Sequence, residues 1–267
     1  MSQDLSYCGE LVRKADPDRF LISLLAPAAA REALWALFAF NHEIAKTREV
    51  VSETTLGHIR LQWWRDAIGR IYEGGPVLEH EVVKPLAAAI AAHDLPREEF
   101  DALCYAREFD LEGTAPDDIG GLLNYLDYTN APLLRLAVRI CGRNPDSEAV
   151  QSVAINYGLM GILRSIVHYA RQGRCMIPAA VLAQHGLSEG DIHSFRKPEA
   201  LAAAVEALAA EFVAGVKVKS EVLKASQCLA EIYYKQLKNM KYNVLQPRAA
   251  LPPCFKALRL TVCTKFL

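Results

Sequence analysis

The sequence from Trp35 to Glu49 reads Trp-Ala-Leu-Phe-Ala-Phe-Asn-His-Glu-Ile-Ala-Lys-Thr-Arg-Glu, and it decides the fold class. Its apolar residues recur at steps of three and four, the spacing of one face of an α-helix. That face includes Leu34, Leu37, Phe38, Asn41, Ala45 and Glu49. The same spacing recurs through almost the whole chain, and no alternating strand pattern interrupts it. The sequence therefore predicts an all-α protein, in which this helix face either lines a cavity or packs on another helix.

Length and composition favour one compact domain over residues 1–267. The chain has 267 residues, of which 52% are hydrophobic, and such a chain can bury a sizeable core. Much of the apolar content is Ala and Leu, which favour helices. No linker rich in Gly, Ser or Pro and no internal repeat divides the chain. The net charge is −1, so no whole-protein field indicates a nucleic acid partner.

Caps and turn residues predict where the helices begin and end. Asp18 and Ser52 are expected to cap the helices that follow them, and Pro132 to kink a later one. The longer predicted helices span residues 28–49, 52–72, 78–93, 97–112, 117–141, 147–170, 198–224 and 226–241. Trp63 and Trp64 are adjacent within a helix, so both cannot face the core.

The cysteines and the N-terminus indicate a cytoplasmic protein. Seven cysteines are scattered without a CxxC motif, which argues against a disulfide framework or zinc site and favours buried thiols. Residues 1–9 are polar and carry neither a signal peptide nor an Arg-rich transit peptide. We find no apolar run that reaches the length of a membrane span, since residues 133–140 are too few and include two arginines. In a eukaryote the matching compartment would be the mitochondrial matrix.

Residues 232–267 form a basic, proline-broken C-terminal segment. They contain seven basic residues and no acidic one, together with several Tyr and Phe residues. Such a segment either lies on an anionic membrane surface, giving a protein peripheral to the inner membrane, or forms a solvated helix face with a C-terminal strap.

A search for common catalytic patterns finds none. No two of the seven histidines are three or four residues apart, so no helix presents a histidine pair to a metal ion. The phosphate-binding patterns GxGxxG and GxxxxGK[ST] are absent, and so is GxSxG. Asp117 and Asp118 are adjacent at a predicted helix start, where capping explains them.

A second stretch, Gly158-Leu-Met-Gly-Ile-Leu-Arg-Ser165, is followed by His168-Tyr169, Gly173-Arg174 and Pro178. The same framework includes Phe38–Phe40, Trp63-Trp64-Arg65, Asp110-Leu111 and Tyr125. In order and spacing this framework resembles the squalene/phytoene synthase family over nearly the whole chain. The resemblance implies an isoprenoid-synthase-like helical bundle around a central cavity, with Tyr125 in the cavity wall.

The resemblance also implies which residues should bind metal in an active member. Such members join two prenyl diphosphates head to head, and magnesium ions bridge the diphosphate to carboxylates on two helices. The family pattern places acids at Ala45, Lys46, Glu49, Ser165, His168 and Tyr169. Only Glu49 retains a carboxylate, and Lys46 brings a positive charge. We therefore expect neither a metal cofactor nor catalytic residues.

The remaining positions predict a binding site. Arg164 and Arg174 match family positions near the diphosphate, and they either hold an anion or lipid headgroup or form an ion pair or helix cap. His168 is either a ligand-facing residue or an ordinary helix histidine, and Tyr169 would fill the place of a metal ligand. The candidates lining the cavity or ligand site are Asn41, Ala45, Glu49, Tyr125, Arg164, Ser165, His168, Tyr169 and Arg174.

Within the family, Ala39-Phe-Asn-His-Glu-Ile-Ala45 and Val51-Ser-Glu-Thr-Thr-Leu-Gly57 look like a branch containing a mitochondrial complex I assembly factor and its bacterial relatives. That likeness implies a non-catalytic protein that assists assembly of respiratory complex I, the NADH dehydrogenase. Its partners would be complex I subunits or assembly proteins, with a prenyl or other lipid as a further ligand.

Two alternatives remain open. One is an active magnesium-dependent prenyl transferase of the squalene or phytoene type, whose relocated metal site would draw on Glu43, Glu49, Asp110 or Glu112. The other is a lipid carrier or peripheral membrane scaffold.

Overall fold

A computed structural model describes residues 5–51 and 53–266, and the regular elements within these ranges are all helical. The predicted all-α class is therefore confirmed. The helices form two compact units. Unit 1 comprises the chain up to Glu112, residues 128–150 and residues 219–223, and unit 2 comprises residues 113–127, 151–218 and 224–267.

Unit 1 contains the N-terminal helices. They are α1 (Tyr7–Ala15), α2 (Pro17–Leu25), α3 (Arg31–Ala45), α4 (Thr47–Val50), α5 (Thr54–Tyr72), α6 (Val83–His93), α7 (Arg97–Ala106) and α8 (Glu108–Glu112). The second half of α9 (Ile119–Ile140) also belongs to it, and Pro132 lies inside that helix. The predicted cap Ser52 lies outside the described residues.

Helix α3 is the central element of unit 1. It packs against α1 and α6, and nearly all its side chains from Leu34 to Ile44 are buried. The ring of Phe40 makes edge-on contacts with Trp64 and Phe100, at centroid distances of 5.4 and 5.5 Å. Truncating such a core aromatic to alanine costs about 3–5 kcal/mol, so α3 is held firmly where the first family motif begins.

Helices α1 and α2 precede α3; α1 was not predicted from the sequence, and α2 was indicated only by the expected cap at Asp18. Asp16, and not the predicted Asp18, caps α2, because its side chain accepts a hydrogen bond from the Arg19 N–H and Pro17 starts the helix. Gly9 lets α1 approach the Trp35 ring closely, since a Cβ there would lie 2.9 Å from a ring carbon.

Two predicted helices of unit 1 are interrupted. The predicted helix 28–49 breaks at Lys46, whose ψ of −1° ends α3 before α4 begins. The predicted helix 97–112 breaks at Arg107 in the same way, between α7 and α8. Trp64 is buried on α5 while Trp63 is 39% exposed, which confirms that the two rings cannot both face the core.

Unit 2 contains the helices that follow the second motif. Helix α10 (Ser147–Arg171) belongs to unit 2 from Gln151 onward, and α14 (Glu221–Asn239) belongs to it from Lys224 onward. The other helices that follow are α11 (Ala179–Gln184), α12 (Glu189–His193), α13 (Pro198–Ala209) and α15 (Lys256–Phe266). By length and apolar composition α10 could cross a membrane, contrary to our reading of the sequence, but half of its most apolar window is buried, as in a core helix.

The predicted helix 198–224 is wrong between Ala209, where α13 ends, and Glu221, where α14 begins. Asn156 explains the change. Its fully buried side chain donates to the Val213 carbonyl at 2.7 Å and accepts from the Val213 N–H at 2.9 Å. A side chain on α10 thus provides the hydrogen bonds that a continuing helix would have made itself.

The C-terminal segment contains a helix, α15, that was not predicted, because the prolines of this segment indicated a broken chain. Our expectation of free, buried thiols is also wrong in part, because Cys228 on α14 and Cys263 on α15 form a disulfide with Cα atoms 5.9 Å apart. Cys254 is exposed, whereas Cys8, Cys104 and Cys175 are buried. Spacing alone did not indicate this pair, because 35 residues separate the two cysteines.

Candidate functional site

The first motif region lies in unit 1, at the junction of α3 and α4. Ala45 is the last residue of α3, Lys46 forms the break, and Glu49 lies on α4. Ala45 is half-buried and Glu49 is exposed. The one carboxylate retained from the family pattern therefore faces solvent.

Glu43 dominates the electrostatics of this junction. Its carboxylate is buried and accepts from Lys46 Nζ at 2.5 Å and from Arg60 on α5 at 2.6 Å. Burying a carboxylate is unfavourable unless opposite charges and hydrogen bonds compensate it, and here two cations do so. Lys46, which stands where the family pattern places an aspartate, is thus part of a fixed ion-pair network.

Two other polar groups are buried close in sequence to this network. Asn41 is 3% exposed and its Oδ1 has no hydrogen-bond partner among the described residues. Thr47 is buried as well, and its Oγ1 is likewise unpaired within the described chain. An unpaired buried polar atom lowers the stability of the fold by about 1–3 kcal/mol. Packing does not explain why Asn41 and Thr47 are polar at this junction.

His42 lies beside Glu43 on α3 and is half-buried. Burial lowers the pKa of its imidazole below the usual 6.5, and the positive charge of Lys46 lowers that pKa further. The imidazole therefore favours the neutral form more strongly than it would in an unfolded chain.

The carboxylates that a relocated metal site would need do not come together. Asp110 is buried and accepts from Arg107 at 3.2 Å, whereas Glu49 and Glu112 are exposed. Glu43 is already bound by two cations. Among residues 5–51 and 53–266, no group of three or more His, Cys, Asp or Glu side chains has a metal-binding arrangement.

The second motif region lies on α10 in unit 2. The Arg164 guanidinium carbon lies 3.5 Å from the centroid of the Tyr233 ring on α14, a close cation–π contact. Tyr233 is buried, while Arg164 and Ser165 are half-buried. Tyr125, on the part of α9 that belongs to this unit, is half-buried too.

Tyr169 and Arg174 are brought together at the end of α10. The Arg174 guanidinium carbon lies 5.1 Å from the centroid of the Tyr169 ring. His168 is exposed and its Nε2 lies 3.1 Å from the side-chain nitrogen of Gln172, one turn along the helix. Tyr169, where the family pattern places an aspartate, is therefore a stacking partner for an arginine.

These residues do not fit the magnesium ions of the active family. Magnesium takes oxygen ligands, chiefly carboxylates and water. The two motif regions offer an alanine, a lysine, a serine and a tyrosine at the expected aspartates, and the nearest buried carboxylate, Glu43, is occupied by cations. We therefore derive no metal-dependent step from this site.

The roles of three residues in these regions were not predicted from the sequence. Glu43 was considered only as a metal ligand, although its spacing of three from Lys46 on a helix was a signal of the ion pair. Arg60 gave no such signal, because it lies 17 residues away on another helix. Tyr233 was noted as a tail aromatic, but nothing in the sequence indicated its contact with Arg164.

Solved structures share this fold. A squalene synthase from Alicyclobacillus acidocaldarius matches with a TM-score of 0.72 and 21% identity, over 88% of this chain and 93% of that one. A dehydrosqualene synthase matches with a TM-score of 0.77 and 15% identity, over 97% and 95% of the two chains. The predicted isoprenoid-synthase-like helical fold is thereby confirmed.

Sequence relatives include NADH dehydrogenase (ubiquinone) complex I, assembly factor 6, of Bos taurus and of Homo sapiens. Each is 32% identical over 187 residues, which is 69% of this chain and 56% of the relative's length. A presqualene diphosphate synthase of Rhodopseudomonas palustris is 28% identical over 228 residues, 80% of each chain.

The family assignment follows from the match over almost the whole chain. The family model described as squalene/phytoene synthase matches residues 12–262, which include both motif regions and most of the basic C-terminal segment. This chain belongs to the squalene/phytoene synthase family.

Proposed function

We propose that this protein is a non-catalytic member of its family that assists assembly of respiratory complex I by binding a protein partner. The observation that carries the proposal is the ion-pair network at the first motif. Lys46 stands at an expected aspartate and, with Arg60, neutralises the Glu43 carboxylate. A site that ionises an allylic diphosphate would need free carboxylates there to hold magnesium.

The relatives support the choice of partner. The assembly factors of complex I match 69% of this chain at 32% identity, although the chain spans only 56% of their length. Assembly at a respiratory membrane would place the protein at the inner membrane, on the cytoplasmic side in a bacterium or in the matrix of a mitochondrion. A prenyl chain or another lipid is a further candidate ligand, by analogy with the substrates of the family.

Affinity purification tests the proposed partner. The tagged full-length protein is purified from its native host in mild detergent, and co-purifying proteins are identified by mass spectrometry. We expect complex I subunits or their assembly proteins to be enriched over a matched purification of the tag alone. Deleting the gene should lower membrane NADH–quinone oxidoreductase activity, and the native gene should restore it. Normal complex I in the deletion strain would contradict the proposal.

A separate assay tests the proposed lack of catalysis. The purified protein is incubated with farnesyl or geranylgeranyl diphosphate, magnesium and NADPH, beside an active presqualene diphosphate synthase as positive control. We expect diphosphate release no faster than without protein. Release at the rate of the control, with a head-to-head product, would establish the alternative of an active prenyl transferase.

A further inference from the structure

The C-terminal segment of unit 2 exposes an apolar surface. It consists of Leu251, Phe255, Leu258 and Val262, whose exposed fractions are 58%, 80%, 63% and 48%. We call these four residues the C-terminal apolar surface. Leu258 and Val262 are four apart on α15 and therefore share a face. On the other side of α15, Leu260 is buried and Cys263 is joined by a disulfide to Cys228 on α14. These contacts fix α15 in place, with Leu258 and Val262 facing outward.

Phe255 is the most exposed large hydrophobic residue of the described chain. It directly precedes α15 with a φ of 54°, in the left-handed region that bulky residues rarely adopt. Neither burial of the ring nor a favourable backbone conformation explains the position of Phe255. An exposed aromatic ring on a strained backbone is expected where the ring has a binding role.

Unpaired positive charge borders this surface. Arg248 and Arg259 line a pocket of about 470 Å³ with Asn239 and Leu251, and none of its lining residues is acidic. Within the described residues neither arginine side chain makes an ion pair, and both are exposed. No acidic residue follows Glu231 in the sequence.

Resting on the proposed function, which places the protein at a membrane, we propose that this surface docks onto an anionic phospholipid bilayer. Arg248 and Arg259 bind phosphate groups, for which guanidinium forks are well suited. Phe255, Leu258 and Val262 enter the boundary between headgroups and acyl chains. The charged residues that line the adjoining pocket, Arg248 and Arg259, are both positive, which favours an anionic bilayer as the binding partner.

Vesicle flotation of the purified full chain tests this inference. The vesicles contain phosphatidylcholine alone or with an equal amount of phosphatidylglycerol. One variant combines Phe255→Ser with Leu258→Ser, and another combines Arg248→Gln with Arg259→Gln. The matched controls are Ile59→Ser with Tyr105→Ser, at exposed apolar sites of unit 1, and Lys14→Gln with Arg70→Gln, at exposed basic sites. Circular dichroism verifies that every variant is folded.

We expect the native chain to float with the anionic vesicles and not with the neutral ones. Each basic residue near an anionic surface contributes about fivefold to partitioning, so removing two should weaken binding about thirtyfold. Removing two inserted apolar side chains should weaken it at least about tenfold. Both control variants should bind as the native chain does.

The inference is overturned if the native chain does not float with anionic vesicles, if it floats equally with neutral ones, or if the C-terminal variants bind like their controls. Flotation uses no respiratory protein, so its outcome is independent of the co-purification experiment. Enrichment of complex I proteins by a chain that fails to float would reject the membrane surface and leave the proposed function standing.

Discussion

The two motif regions have replaced the expected acids in different ways. At the first motif in unit 1, the replacement Lys46 joins an ion-pair network around the buried carboxylate of Glu43. At the second motif in unit 2, the replacement Tyr169 stacks with Arg174, and Arg164 lies over Tyr233. The first region is thus stabilised by ion pairs, and the second by cation–π contacts between arginines and tyrosines. Both arrangements give the new residues local partners, which is expected of a rebuilt binding surface.

The largest effect should follow from removing the carboxylate at the first motif. Glu43→Gln leaves Lys46 and Arg60 without their common partner, and we expect unfolding free energy to fall by about 2–3 kcal/mol. Urea denaturation measures the change. Glu49→Gln, at an exposed carboxylate six residues further along the chain, should alter stability by less than about 0.5 kcal/mol. Equal losses of unfolding free energy in the two variants would mean that the ion pairs of Glu43 do not stabilise the fold.

The second motif should show a smaller coupling that depends less on salt. A double-mutant cycle of Arg164→Met and Tyr233→Leu should give a coupling energy of about 1–2 kcal/mol, the range for desolvated cation–π pairs. Salt should weaken the Glu43–Arg60 coupling more, because ions screen an attraction between two full charges more strongly than one between a charge and an aromatic ring. A cycle on Arg164 with Tyr234, the neighbouring tyrosine, provides the control. The comparison between the regions fails if both couplings respond equally to salt.

A change at Asn41 should separate stability from function within the first motif. Its buried Oδ1 is unpaired in the described chain, so Asn41→Leu removes a desolvation penalty and should stabilise the fold by about 1 kcal/mol. If Asn41 serves a partner, the same variant should lose the co-purifying proteins despite its greater stability. Calorimetry and affinity purification measure the two results. Destabilisation would show that Asn41 is bonded within the fold.

The smallest effect concerns pH. The pKa of His42 is lowered by burial and by Lys46, so the unfolded chain binds a proton at this site more readily than the folded one. Stability is therefore retained above the usual pKa of 6.5 and falls as the pH drops below it. The native chain should lose more stability between neutral and mildly acidic pH than His42→Gln does. Parallel urea curves at each pH measure the difference, and equal pH dependence in the two proteins would contradict it.

Several helices of the fold, including those that carry the two motifs, could be predicted from the local spacing of apolar residues. The spacing along α3, α5 and α10 predicted helices at nearly the observed positions, because helical periodicity is a property of neighbouring residues. The breaks at Lys46 and beyond Ala209 could not be read in this way. The second depends on Asn156, whose hydrogen bonds to Val213 span 57 residues.

The all-α class and the residue types at the expected metal ligands follow from the amino-acid sequence alone. Both are local properties, since periodicity and residue type at a motif position do not depend on distant contacts. Only the tertiary structure decided that Arg60 completes the Glu43 network, that Tyr233 lies against Arg164, and that Cys228 pairs with Cys263. Each of these contacts joins residues on separate helices, and helix packing alone determines which distant side chains meet.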